Sequence, residues 1–147
     1  MANNQFKRGE LYSVINAMAV NAINRRLQKN FRASGLEITI EQWSILYHLW
    51  KEDELTQQQL CDKTYRDKPS ITRLIHNLEK MGLVERTNSA IDKRKNHIHL
   101  TDKAKQLQDI SINIANETMD EALVGINKSD IETVKNVLQK VYDNLTG

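Results

Sequence analysis

The sequence predicts a mainly helical fold that carries one small β-hairpin. Three observations predict it. Only one proline and five glycines interrupt 147 residues, so long helices meet few breakers. Apolar side chains recur at three- and four-residue steps over most of the chain, the spacing of helices with one buried face. Two short stretches, Leu83–Thr87 and His97–Leu100, alternate instead with period two, as strands of a half-buried hairpin do.

The first helical pattern runs from about Gly9 to Ser34, and Gly35 is placed to end it. Leu11, Val14, Ile15, Met18, Ala19, Ala22, Ile23, Leu27 and Phe31 give it an apolar face broad enough for two contacts, one with the chain's own core and one with something else. Thr39 and Gln42 form a capping box for a second helix that holds Trp43, Leu46, Tyr47 and Trp50. Their helical spacing reads first as core packing, with one wall of a small-molecule pocket as the other reading.

Thr56 and Gln59 repeat the capping box at a short helix ending near Thr64. A second helix follows closely, from about Lys68 to Met81, with Pro69 near its start. Its apolar stripe is Ile71, Leu74, Ile75, Leu78 and Met81, and its other face carries Ser70, Thr72, Arg73, His76, Asn77 and Lys80. Two short helices across a tight turn, the second with a polar face, are a helix-turn-helix. Gly82 is placed to cap it, and the two alternating strands come next, joined by the polar loop Asn88–Asn96, which carries Asp92-Lys93-Arg94-Lys95 near its end. That loop is a wing, so the lobe reads as a winged helix-turn-helix for duplex DNA. Thr101-Asp102 caps a long helix to about Val124, and Ser129 with Glu132 suggests another capping box. The last helix repeats Ile131, Val134, Leu138, Val141 and Leu145 at alternating three and four, a seam like that of a coiled coil.

Charge follows the same map. Residues 63–105 hold 11 basic and 5 acidic side chains, whereas residues 106–147 hold 3 basic and 7 acidic ones. The positive excess coincides with the motif and the wing, the footprint expected of a phosphate-binding surface. No apolar run is long enough to span a bilayer, the opening MANNQFKRGE lacks the core of a secretion signal, and one cysteine forbids an internal disulfide. A cytoplasmic location is the expectation.

Within this order of elements, a set of short motifs resembles the MarR family of bacterial transcriptional regulators. They are Thr39-Ile40-Glu41-Gln42-Trp43, Leu55-Thr56-Gln57-Gln58-Gln59-Leu60, Lys68-Pro69-Ser70-Ile71-Thr72-Arg73-Leu74-Ile75, Leu78-Glu79-Lys80-Met81-Gly82-Leu83-Val84-Glu85-Arg86, and Asp92-Lys93-Arg94 before Leu100-Thr101. Each is weak alone; their order and spacing are specific. The likeness covers nearly the whole chain, with one departure at Lys93, where the family more commonly has arginine. It implies a homodimer paired through its terminal helices, a palindromic operator, action as a repressor or less often an activator, and in many members release by a small phenolic or similarly apolar ligand. The chain is then one MarR-type domain, 1–147, with residues 36–101 as the DNA-binding lobe and 1–35 and 102–147 as dimerisation helices.

Site residues follow from this reading. Ser70, Thr72, Arg73, His76 and Asn77 face the major groove, although Arg73 equally suits an internal brace. Arg94 enters the minor groove at the wing, Asp92 orients it, and Lys93 and Lys95 neutralise phosphate. Thr56, Gln57 and Lys68 serve phosphate at the helix starts. Leu11, Val14, Ile131, Val134, Leu138, Val141 and Leu145 form the dimer interface. Met18, Ala22, Trp43 and Tyr47 are candidates for a ligand pocket between the dimerising helices and the DNA lobe. Cys61, next to Leu60 on the inward side of its helix, reads as a buried structural residue. His97 and His99 share a strand face without an evident third ligand, so no metal or cofactor is expected. Two other classes compete. A winged helix used for protein assembly, without specific DNA binding, has no need of the basic stripe, and an enzyme using Cys61 and a histidine would need that thiol accessible.

Overall fold

The computed structural model describes the backbone of residues 8–88 and 96–147, and the side chains of residues 12–87 and 97–147. Six helices and three strands follow one another: α1 (Arg8–Ala33), α2 (Ile40–Lys51), β1 (Leu55–Thr56), α3 (Gln57–Thr64), α4 (Lys68–Lys80), β2 (Val84–Asn88), β3 (Asn96–Leu100), α5 (Asp102–Ala122) and α6 (Lys128–Thr146). The mainly helical winged helix expected from the pattern is the fold observed.

Local chemistry sets the boundaries. α1 stops at Gly35, whose φ of +78° lets Leu36 N–H reach back to Phe31 O and Gly35 N–H to Arg32 O. Two of the three expected capping boxes are present: Thr39 Oγ1 accepts from Gln42 N and Thr56 Oγ1 from Gln59 N, each at 3.1 Å, while each glutamine side chain returns a bond to the cap's own N–H. Gly82, at φ +72°, ends α4 in the same way as Gly35 ends α1, with Leu83 N–H on Leu78 O.

Two features differ from the sequence reading. The hairpin is a three-stranded sheet of order β1-β3-β2, because Leu55 and Thr56 pair antiparallel with Ile98 and His97. Asp53 holds the joint, one carboxylate oxygen accepting from Glu54 N–H and from Leu100 N–H. The cap of α6 is Asn127, whose side chain accepts from Asp130 N at 2.8 Å, and not the Ser129–Glu132 box. Asparagine caps as well as serine does, and starting two residues earlier lengthens the helix, its first backbone bond running from Ile131 N–H to Asn127 O.

The core lies inside the winged lobe. Phe31 from the end of α1, Ile45 and Leu49 of α2, Leu60 of α3, Ile71, Ile75 and Leu78 of α4, and Ile98 of β3 are fully buried together. Each such side chain contributes roughly 1.5–3 kcal/mol relative to exposure. α5 packs along α1 and ties to it through Asn30 Nδ2, which donates to the buried Thr118 hydroxyl at 2.8 Å. α6 is different: it fully buries none of its residues and, among the described residues, packs extensively against no other element.

Candidate nucleic-acid interface

α4 is the element on which the site is built. Asp67 caps it, accepting from Ser70 N at 2.8 Å, and Pro69 occupies the first turn, where no N–H is needed. Hydrogen bonds from the Ser70 side chain and backbone, helped by Arg73 and Arg66, hold the Asp67 carboxyl below its usual range. The Asp67 cap was legible as an aspartate two residues before the proline, but the pattern did not distinguish it from an ordinary turn residue.

With Ile71, Leu74, Ile75 and Leu78 buried, the helix can present only its opposite face. Thr72, Arg73 and His76 are exposed there, and Ser70 and Asn77 are half-buried at its edges. Thr72 is more constrained than its exposure suggests. Its hydroxyl donates to Lys68 O at 2.9 Å and accepts from the Gln57 side-chain amide. One lone pair and the methyl group are what remain for another molecule. Gln57 begins α3 beside Thr56, so the bond also brings the start of that helix to the α4 face. Lys68, the first residue of α4, is exposed.

The far end of α4 is tied to the sheet and to the start of α5. Arg86 Nε pairs with Glu79 Oε1 at 2.6 Å, Lys103 Nζ donates to Met81 O at 2.9 Å, and the Thr101 hydroxyl donates to Gly82 O at 2.7 Å. A lysine at the carboxyl end of a helix also offsets the helix dipole. On the outer face of the sheet His99 lies between Glu85, 3.2 Å away, and Thr87, 3.3 Å away, while Ile98 and Leu100 point into the core. His97 shares that outer face, and among the described residues no group of three or more His, Cys, Asp or Glu side chains converges on a possible metal position. Asp92, Lys93, Arg94 and Lys95 lie outside the described residues. Cys61 is buried, and burial pushes its thiol up, away from the reactive thiolate.

The remaining sequence-derived groups separate. Val14, Val134, Leu138, Val141 and Leu145 are exposed and Ile131 is half-buried; the side chain of Leu11 lies outside the described residues. Met18 and Ala22 line an open groove of about 960 Å³ between α1 and the end of α5, with Ile23, Leu123, Arg25 and Lys29 among its other walls. Trp43 and Tyr47 do not line that groove: Trp43 packs its ring on Phe31 at 5.9 Å, Tyr47 follows at 5.5 Å, and Lys51 lies over the Tyr47 ring. The four pocket candidates are therefore not brought together. Periodicity shows which side chains share a helix face, but not which neighbour that face meets.

Residues 38–95, the stretch from the α2 cap through the wing, match the family model described as MarR family. The transcriptional regulator PA3341 is 31% identical, with 91% of this chain and 97% of that one covered at a TM-score of 0.78. The chain belongs to the MarR family. Two more distant structures share its fold: a MarR transcriptional regulator from Methanosarcina mazei Go1 (24% identity, 92% and 96% of the two chains, TM-score 0.80), and BpsR of Bordetella bronchiseptica (18% identity, 95% and 99%, TM-score 0.84). DNA binding by BpsR is regulated by 6-hydroxynicotinic acid. MarR-family proteins are DNA-binding transcription regulators rather than enzymes, and the chain takes its function class from that membership. No helix among the described residues is long and apolar enough to cross a membrane.

Proposed function

We propose that two copies of this MarR-family chain bind a palindromic operator as a repressor and that a small aromatic acid releases them. The observation that carries the DNA reading is the division of α4, whose apolar stripe is wholly spent on the core while Thr72, Arg73 and His76 are presented outward. In this reading Ser70, Thr72, Arg73, His76 and Asn77 meet base edges in the major groove. Thr72 does so through its methyl and one lone pair, which suits a thymine methyl or a base amino group. Arg94 enters the minor groove with Asp92 beside it, and Lys93, Lys95, Lys68, Gln57 and the start of α3 at Thr56 meet phosphate.

Dimerisation follows from what one chain leaves uncovered. α6 exposes Val134, Leu138, Val141 and Leu145 along one stripe, and the first half of α1 exposes Val14, Ile15 and Met18. A second copy related by two-fold symmetry covers both, with 36–101 as the DNA lobe and 1–35 plus 102–147 as the pairing helices. The groove between α1 and α5 supports the effector class: Met18, Ala22 and Leu123 offer an apolar wall, and Arg25, Arg26 and Lys29 a cationic rim, although Arg26 already pairs with Glu121. An effector there acts only through unequal affinity for the DNA-competent and incompetent dimers.

The experiment is selection of bound fragments from random duplex DNA at stated salt, followed by titration with salicylate and hydroxynicotinate. An enriched inverted repeat that an aromatic acid displaces fits the proposal. Enrichment without any displacement removes the effector from it, and no enriched sequence removes the operator.

A further inference from the structure

We propose that Tyr65 and Tyr142 form a strut that sets the spacing of the two DNA-reading helices in the dimer. This rests on the reading that α4 enters DNA and α6 pairs two copies. Tyr65 is the turn residue between α3 and α4, and it stands in the left-handed conformation at φ 51°, ψ 43°. A side chain with a Cβ is disfavoured there; glycine or asparagine is the usual occupant. Its own lobe does not repay the aromatic ring by burying it, for Tyr65 is 70% exposed. The ring instead meets the ring of Tyr142 in α6, edge to face, with centroids 5.6 Å apart and planes at 83°.

The position of this contact gives it mechanical consequence. α6 fully buries none of its residues and, among the described residues, packs extensively against no other element, so the Tyr142 ring gives it a hold on the reading lobe. Tyr142 stands beside Val141 and one turn from Leu138 and Leu145, the seam that meets the second copy. Tyr65 is three residues before the first residue of α4, and the turn between is held by Arg66 N–H on Cys61 O and by the Asp67 cap. Displacement of α6 is thereby passed to the start of the reading helix rather than absorbed in the turn. A lobe without the strut keeps its core and its α4 face but swings more freely about the seam. Tyr65 and Tyr142 are positioning residues: neither has to touch DNA.

The test uses the full chain and its selected operator, with the two half-sites moved apart or together by one base pair. Each base pair shifts one reading helix by about 3.4 Å along the duplex and turns it about the axis, so the wild-type dimer should prefer its native spacing by about tenfold or more. Tyr142→Ala should bind the native spacing about three- to tenfold more weakly, the worth of an edge-to-face pair, and lose little more on the shifted sites. Tyr142→Phe, which keeps the ring, should behave as wild type. Tyr65→Asn, which suits the left-handed turn, should reproduce Tyr142→Ala, and the double variant should be no worse than either single one. Sedimentation of the same samples reports the dimer; if Tyr142→Ala dissociates, Tyr65→Asn, which leaves every residue of α6 in place, decides the matter. A dimeric variant with the wild-type spacing profile, or one equally weakened at every spacing, overturns the strut. A wild-type chain indifferent to spacing contradicts the two-copy reading itself and the strut with it.

Discussion

The side-chain amide of Gln57 donates to the hydroxyl of Thr72, joining the first turn of α3 to the second turn of α4 on the outer surface of the lobe. Because the Thr72 proton is already given to Lys68 O, the bond fixes the rotamers of both side chains. Thr72→Val and Gln57→Leu should each weaken operator binding, and the double variant should lose less than the sum of the two single losses, since both remove the same link. Folding should change little, because an exposed neutral hydrogen bond contributes only about 0.5–1.5 kcal/mol. Fully additive losses in operator titrations would show that the two residues act separately.

Arg94→Ala should cost on the order of 1–3 kcal/mol of operator affinity and shallow its salt dependence by about one counterion. Arg73→Ala and Asn77→Ala should instead relax the preference for particular bases. Affinity measured across a salt series, on the selected site and on single-base variants, separates the two effects. An unchanged affinity and slope for Arg94→Ala would mean that the wing does not reach DNA.

How far these residues were legible depended on the range of the interactions that place them. The α4 stripe and the two long strands announce themselves because each buries one face of a regular element, and burial leaves a period of 3.6 or 2. β1 leaves no such mark. Two residues have no period, and its partner Ile98 is more than forty positions away. At α6 two cap signals overlap, and the asparagine that starts the helix earlier prevails over the serine–glutamate pattern inside it. The groove beside α1 was half legible: Met18 and Ala22 lie on it, but its other wall comes from the far end of α5, and Phe31 draws Trp43 into the core instead.

His48 makes the stability depend on pH. Partial burial, then the charges of Lys63 and Lys51, lower its pKa from the ordinary 6.5. The unfolded chain therefore binds this proton more readily than the folded one, so the folded state loses stability as pH falls below 6.5 and is unaffected by this group above it. Urea unfolding at about pH 7.5 and about pH 5.5 should show a smaller decline for His48→Gln than for wild type. An equal or larger decline in the variant would assign the pH dependence to other groups.

Leu138→Asp places a carboxylate in the α6 stripe while leaving α4 untouched. Leu138 is 38% exposed in the single chain, so the substitution should spare the lobe's core. Desolvating the new charge at a two-copy seam should disfavour the dimer by several kcal/mol, roughly the cost of burying an unpaired polar group. Sedimentation should show a folded monomer or a weakened dimer with operator affinity lost. A folded monomer that keeps full affinity would separate assembly from DNA binding.

Whether two copies of this chain read one palindrome is measured most directly by the stoichiometry and affinity on the selected duplex. Sedimentation and titration of the same sample should give two chains per duplex on an inverted repeat whose half-sites are about 10 base pairs apart centre to centre, with a single half-site bound far more weakly at the same salt. One chain per duplex on an asymmetric site, or a half-site bound as tightly as the full repeat, would contradict the account.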